Sequence, residues 1–432
     1  MHELREDEKD VDRPRSGVDL TRAYAEGAAA APSMASPAAP ATAPRRAVVD
    51  GYVWRPGAHC ATSALRDLLR FHGTPADIAN EAVLAGAASA LAFLAIRYDA
   101  LLGEEEDGAS DEPALPSKAA NFFCTGWSIS FLGDLIATLG LDIECGAAPD
   151  DDAAAWAAVR DRVAAGRPVL VEGDTYYLWY KPRDHFPSHL FVVYGYDEDA
   201  GVALVAERDF ARPLEVPLAD LALARSPPGI PQLRRNTWID VRSGRVGAAV
   251  APALLRALHR TARRMLSGDV DEATPGFQAA RDAGFIWTGL PGLAAFRAAL
   301  PAWRRQLAGP RLRARCQYIA SLVLRAGSGG AFFRNTFVAF LRDLVGRAGL
   351  RWVTPADVQQ AQAAAAAWDG AGMTLEQIAV AFDPAHATAD GLWAQLDALL
   401  GRAYANELAL FTRLEARLRP WAAPPGASGA RL

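Results

Sequence analysis

Gly57-Ala58-His59-Cys60-Ala61-Thr62-Ser63-Ala64-Leu65-Arg66-Asp67-Leu68-Leu69 follows a Pro56-Gly57 turn signal. Beyond the cysteine, Leu65, Leu68, Leu69 and His72 recur at helical spacing until Gly73 closes the run. The stretch therefore places Cys60 at the first turn of a helix. There the positive end of the macrodipole lowers a thiol pKa and favours the thiolate, the form that attacks carbonyl carbon. A single cysteine is more commonly a buried structural residue. A chemical reading needs a base elsewhere in the chain.

Downstream of this helix, Pro75–Ile96 and Phe122–Leu139 read as helices, Leu141–Cys145 as a short strand, and Asp150–Ala165 as a helix that Gly166 ends. The pattern then changes. Pro168–Glu172 is an apolar run between Gly166 and Gly173. Leu190–Tyr196 is β-branched and aromatic, Asp197–Gly201 is a turn, and Val202–Ala206 is the next strand. Helices followed by an antiparallel sheet give an α+β domain, assigned to residues 47–248. From Ala251 the sequence is helical almost throughout. The candidates are Ala253–Leu266, Leu293–Ala308, Leu312–Ala326, Ala331–Leu344, Pro355–Ala367, Leu375–Phe382 and Leu392–Leu418, an all-α domain over 249–421 with no repeat period. Residues 1–46, charged and then rich in Ala and Pro, read as a disordered tail. Glu104–Pro116 reads as a solvated acidic loop and 422–432 as a frayed end.

With 432 residues, 51% of them hydrophobic, the chain is long enough for two sizeable cores. A net charge of -5 argues against a general nucleic-acid binder. The four cysteines, Cys60, Cys124, Cys145 and Cys316, form no CxxC pair, so neither a zinc site nor a disulfide framework is expected and a cytoplasmic setting fits. No secretory signal or apolar run of transmembrane length is legible, so no membrane partner is expected. No phosphate-binding glycine motif calls for a nucleotide, and no metal or other cofactor is expected.

Among seven histidines, His189 is the best-placed base. His2 lies in the tail, His72 three turns from the cysteine, and His259 and His386 in the helical half. His59 adjoins Cys60, but sequence neighbours at a loop–helix junction rarely converge. His185 precedes Pro187 in a loop. His189 opens a strand whose antiparallel neighbour ends at Glu207-Arg208-Asp209. Either Glu207 or Asp209 is then in reach to orient the imidazole, because residues two apart in an extended strand share a face. Cysteine at a helix start, histidine at a strand start and an acid at the end of the paired strand make a coherent triad.

This order resembles the papain-like cysteine enzymes and, more closely, the family of butirosin-biosynthesis protein H, an acyltransferase family of aminoglycoside assembly. The likeness rests on Gly57–Cys60 with Ala64–Leu69 and His72-Gly73, then on Gly166–Val171 followed by Asp174–Leu178. It continues in His189–Asp197 with Val205–Arg208 and Ala224-Arg225, and in Gly329–Arg334 with Phe340-Leu341 of the helical half. The resemblance implies a papain-like domain followed by an all-α domain. It also implies transfer of an acyl or aminoacyl group from a carrier-protein thioester, held on phosphopantetheine, to a small-molecule or peptide amine through an acylated cysteine. By the same resemblance Cys60 is the nucleophile and His189 its base. The family's Asp in a Val-Ala-Asp-Arg setting corresponds to Glu207, one methylene longer, which leaves Asp209 open as the third member. A glycine-rich stretch expected after Glu81 reads Gly86-Ala87-Ala88-Ser89-Ala90 here.

Asp174, Tyr176 and Tyr177 are candidate substrate contacts, with Asp174 pairing an amine; aromatic packing around a turn carboxylate competes with that reading. Arg334 reads as a helix-surface or interdomain ion pair. The alternatives to acyl transfer are a cysteine peptidase or amidase using the same triad, and a non-catalytic scaffold of a biosynthetic cluster, which a buried thiol would favour.

Overall fold

The computed structural model describes residues 44–97, 120, 122–228, 235–247, 249–270, 275–307, 309–325, 327–347, 351–381 and 389–422. Most of the expected N-terminal tail, the acidic loop and nearly all of the C-terminal end lie outside these residues, as does His386.

The N-terminal half is built on a seven-stranded antiparallel sheet. In chain order its strands are β1 (Arg46–Val48), then β4 (Ile143–Ala147), β5 (Val169–Gly173), β6 (His189–Asp197), β7 (Val202–Ala206), β8 (Leu214–Pro217) and β9 (Thr237–Val241), all numbered with β2 and β3 below. Their spatial order is β4-β9-β5-β6-β7-β8, and β1 pairs with β6. On β6, His189–Val193 face β5, and Gly195–Asp197 face β1. The chemistry-bearing end of β6 thus pairs with β5, with Gly173 opposite His189, while β7 joins β6 only from Val192 onward. Helix α1 (Cys60–Phe71) packs on β6. Its apolar stripe, Leu65, Leu68 and Leu69, is at most 1% exposed.

Two stretches expected to be helical divide into helix and strand. Residues 75–96 hold α2 (Glu81–Ala87), capped by the Asn80 side chain on Val83 N–H, and then β2 (Leu91–Arg97). Residues 122–139 hold β3 (Phe122–Trp127) and then α3 (Phe131–Leu139). Both strands are short, largely apolar stretches adjoining helical sequence, which pattern alone does not separate from helix. They pair with each other and with β10 (Ile286–Thr288) in a second, three-stranded sheet. The C-terminal half therefore is not all helix: it sends β10 to the edge of a sheet begun in the N-terminal half.

Helices α4 (Asp152–Ala164) and α5 (Leu218–Arg225) complete the N-terminal half. The remainder comprises α6 (Val250–Ser267), α7 (Pro275–Asp282), α8 (Gly289–Gln306), α9 (Gly309–Leu324), α10 (Arg334–Gly346), α11 (Pro355–Val380) and α12 (Asp390–Leu418). The expected break after Ala367 is absent, so α11 is one helix of 26 residues. Its Gly370 and Gly372 each cost about 1 kcal/mol of helix propensity. They admit neighbours instead: a Cβ on either would stand 2.8 Å from a leucine side chain, Leu399 or Leu324. Phe382 lies outside the described residues.

One apolar core runs through both halves, from Val49 to Leu418. Arg334 is inside it rather than on a helix surface. It is 2% exposed, ion-paired with Glu407 of α12 (2.8 Å) and bonded to the carbonyl of Ala92 in β2 (3.1 Å). A buried guanidinium persists only with its donors satisfied, and these partners tie the helical half to the second sheet. Among the described residues no helix is long and apolar enough to cross a membrane, and no cluster of His, Cys, Asp or Glu is arranged to hold a metal.

Candidate active site

The loop before α1 is fixed from two sides. Glu81, from α2, accepts from Ala58 N–H (3.1 Å), His59 N–H (3.1 Å) and the Thr62 hydroxyl (3.0 Å), and pairs with Arg66 (2.9 Å). Gly57 makes this approach feasible, since a Cβ there would stand 2.6 Å from the Glu81 carboxylate and 2.4 Å from Ser63 Cβ. On the other side, Gly57 N–H donates to Arg208 O (3.0 Å) and Arg208 Nη1 donates to Ala58 O (2.5 Å). The nucleophile loop is thereby strapped to the turn that follows β7. Sequence reasoning passed over Glu81, whose role depends on α2 folding back against α1.

His59 caps α1 with extended backbone (φ -131°, ψ 137°) and no side-chain capping bond, which leaves Cys60 as the first helical residue. His189 Nε2 meets Glu207 Oε2 at 2.7 Å. The same imidazole also acts on the Cys60 thiol, lowering its pKa. Glu207 is 1% exposed, and its second oxygen accepts from Lys181 Nζ (3.2 Å) and Arg208 N–H (2.8 Å).

Asp209 is elsewhere. Pairing of Val192 with Ala206, continued three residues along each strand, would set Asp209 opposite His189. But β7 ends at Ala206 and the chain turns, with Phe210 N–H on Glu207 O (3.2 Å). The expectation that Glu207 and Asp209 share a strand face fails there. Asp209 points outward to Lys181 (2.5 Å), and the longer Glu207 side chain reaches the imidazole.

Burial alone would disfavour a thiolate at Cys60, which is 8% exposed. The charge of the His59 imidazole and hydrogen bonds from His189 and His59 outweigh that burial and hold the thiol well below its ordinary value. Cys316, which burial alone governs apart from a weak effect of Arg315, is pushed up to about 12, and Cys124 higher still. Burial also opposes the charged forms of the partners. The Glu207 carboxylate nevertheless raises His189 to about 9, while His189 and Lys181 hold Glu207 down to about 2. These directions describe a thiolate–imidazolium pair with the imidazolium braced by a carboxylate.

His59, set aside on sequence, belongs to this group: its Nε2 lies 4.0 Å from Cys60 Sγ. Trp127 of β3 packs at a tilt on its ring, centroids 4.1 Å apart, and Phe333 meets it edge-on at 5.4 Å, so partners distant in sequence aim it back at its neighbour. Replacing His59 by asparagine is expected to raise the thiol pKa, moving the midpoint of iodoacetamide alkylation of Cys60 to higher pH. An unchanged midpoint would remove His59 from the electrostatics of the thiol.

Asp174, Tyr176 and Tyr177 gather around a second histidine. Asp174 is fully buried; its oxygens accept from His185 Nδ1 (2.7 Å), Tyr176 N–H (3.1 Å) and Phe186 N–H (2.9 Å). Tyr176 stacks on His185 at 4.1 Å, and Tyr177 meets the same ring edge-on at 6.1 Å. With its carboxylate occupied, Asp174 pins the loop leading into His189 and is not open to a substrate amine. His185 is likewise not a casual loop residue. His185→Ala is expected to cost about 3 kcal/mol of stability by stripping a buried carboxylate of its partner, read as a lowered urea midpoint. A midpoint equal to wild type would show the pair to be dispensable.

Residues 59–208 match the family model described as butirosin biosynthesis protein H, N-terminal, and residues 219–414 match a domain of unknown function, DUF4872. A search of curated proteins found no match. The first match runs from His59 to Arg208, spanning the nucleophile loop, β6 and the turn that carries Glu207, and the second covers most of the helical half. The chain thus carries a butirosin biosynthesis protein H N-terminal domain followed by a DUF4872 domain, an arrangement consistent with a butirosin biosynthesis protein H-like family.

Proposed function

We propose that this protein is a cysteine-dependent acyltransferase that moves an acyl or aminoacyl group from a carrier-protein thioester to an amine, on a papain-like framework of helix-borne cysteine and sheet-borne histidine. The observation that carries the reading is the 2.7 Å contact of His189 Nε2 with Glu207 Oε2, in an imidazole that lowers the pKa of the Cys60 thiol. A structural thiol has no use for a carboxylate-braced imidazole, and Cys124 and Cys316 have none.

The steps balance on these residues. The Cys60 thiolate attacks the thioester carbonyl. The Sγ–C bond forms, the bond to the pantetheine sulfur breaks, and that sulfur leaves with the proton of the His189 imidazolium. The amine then attacks the acyl-enzyme and gives its proton to the now neutral His189. The C–Sγ bond breaks and the thiolate–imidazolium pair is restored. Glu207 stays ionised throughout and holds the imidazole orientation. In the acylation and deacylation intermediates the oxyanion is served by the uncapped amides at the start of α1.

Intact-mass measurement after incubation with a panel of acyl-carrier thioesters is the test. The expected result is a mass increase equal to the acyl group, located on Cys60 and discharged by an added amine. Discharge by water with no amine preference would give the protein to the hydrolases. No adduct, with a thiol inert to iodoacetamide, would leave it a scaffold.

A further inference from the structure

His189 and His59 both act on the Cys60 thiol, but different things hold their rings. His189 is fixed by a carboxylate, with Nε2 2.7 Å from Glu207 Oε2. His59 has no such acceptor. Its Nε2 lies 4.0 Å from Sγ, and its Nδ1 is buried with no hydrogen-bond partner among the described residues. A histidine is ordinarily set by the hydrogen bond that its second ring nitrogen makes. Without that tie, the direction of the His59 ring is left to packing, against Trp127 of β3 and Phe333 of the helical half.

Phe333 ends an unusual stretch of backbone. In Gly327-Ser328-Gly329-Gly330-Ala331-Phe332-Phe333 every residue except Ser328 has positive φ, including Ala331 (50°), Phe332 (51°) and Phe333 (71°). There a Cβ crowds the following carbonyl oxygen, so such residues persist only where surrounding contacts over-determine them. Ala331 N–H donates to Asp369 (2.6 Å), and Phe332 O accepts from the buried Arg334 (2.8 Å). The Phe332 ring packs on Trp368 at 5.1 Å, and Trp368 Nε1 donates to Glu407 (2.8 Å), the ion-pair partner of Arg334. Gly126 of β3 leaves space for the Phe332 carbonyl, which a Cβ would approach to 2.3 Å. Held this way, the segment lies along the nucleophile loop. A Cβ on Gly327 would be 3.6 Å from the His59 ring, and one on Gly329 would be 3.6 Å from Ala58 Cβ. Phe333 itself packs on Trp127 at 4.8 Å and on His59 at 5.4 Å.

We propose that Phe333 is a positioning residue supplied by the helical half: its ring directs His59 at the Cys60 thiol, as the Glu207 carboxylate directs His189. The proposal rests on the reading of Cys60 as nucleophile. Two observations carry it together, the His59 ring that no hydrogen bond orients and the strained turn that sets an aromatic ring against it. A side chain that only filled the core could sit on relaxed backbone. Three consecutive left-handed residues are instead held in place where they bring Phe333 onto the neighbour of the nucleophile. The DUF4872 region is then part of the site, and the reactivity of a thiol in the N-terminal half depends on a turn far along the chain.

The test is the pH dependence of Cys60 alkylation by iodoacetamide in the full chain, read on the Cys60 peptide by mass so that the other thiols do not contribute. It needs neither carrier protein nor amine. Phe333→Leu keeps much of the apolar bulk and loses the ring edge. Phe333→Gly loses the ring but relieves the left-handed backbone, so the two variants load the fold differently. In both, the midpoint is expected to rise by about one pH unit, the low end of what one neighbouring charge does. Alkylation below the midpoint then slows about tenfold. His59→Asn should raise the midpoint likewise, and adding Phe333→Leu to it should change nothing more, because Phe333 acts through His59. A side chain with a merely structural role would lower the urea midpoint and leave the pH midpoint in place. The proposal is overturned if a folded Phe333 variant keeps the wild-type pH midpoint, if His59→Asn keeps it, or if the double variant moves beyond His59→Asn. Shifted midpoints without any adduct from carrier thioesters would uphold the role of Phe333 and reject the thioester donor. An adduct with unshifted midpoints would reject the role of Phe333 alone, so the two readings fail separately.

Discussion

Cys60→Ala protein is expected to form no covalent adduct with any acyl thioester and to lose transfer activity to background, while its unfolding curve stays close to wild type. The loss should be complete because every step of the proposed cycle makes or breaks a bond at Sγ. The fold should survive because the side chain removed is small and α1 is held by other means. Leu65, Leu68 and Leu69 bury its stripe, and Glu81 and Arg208 fix the preceding loop. Cys60→Ser should also be inactive, since a hydroxyl beside the same imidazole stays protonated. Purified Cys60→Ala protein that still transfers acyl groups would falsify the mechanism.

Glu207→Gln is expected to lower turnover by two to four orders of magnitude, about the loss seen when a triad acid leaves its histidine in the wrong tautomer, with a smaller change in substrate binding. The pH dependence gives a sharper signature. In wild type the thiolate is present above the depressed pKa of Cys60, and the imidazolium is lost as pH rises through about 9. The ion pair therefore spans a window that ends near pH 9. The charge of Glu207 is the foremost cause raising His189, against the lowering effect of burial. In Glu207→Gln the alkaline edge of the window must move down. Glu207→Asp should keep appreciable activity, since it retains the charge and loses one methylene of reach. Asp209→Asn should resemble wild type, because Asp209 engages Lys181 and not His189. An inactive Asp209→Asn beside an active Glu207→Gln would exchange the two roles.

The positions of Cys60 and His189 were legible because each depends on local pattern. A turn signal before a helical repeat puts a cysteine at a helix start, and a β-branched run bounded by a loop puts a histidine at a strand start. The hairpin Leu190–Ala206 was legible for the same reason. Glu207 against Asp209 was not, because alternation continues only while the strand does, and the turn at Glu207 comes from tertiary ties among Gly57, Ala58 and Arg208. The strands β2 and β3 were unreadable for a related reason. Each is a short, largely apolar stretch adjoining helical sequence, and what makes it a strand is pairing with partners far along the chain.

By itself, then, the sequence determined the order of parts: a helix opened by Cys60, an antiparallel sheet with His189 at the start of a strand, and a largely helical second half. Those follow from periodicity and turn chemistry, which act over a few residues. Only the tertiary structure decided which acid meets His189, that His59 turns to the thiol, that Asp174 is spent on His185, and that the strained Gly327–Phe333 segment closes against the Cys60 loop. Each of these is a contact between side chains far apart in the chain or aimed by distant neighbours. Such contacts are fixed by the packing of whole elements, through Trp127, Phe333 and Arg334, and no local pattern encodes them.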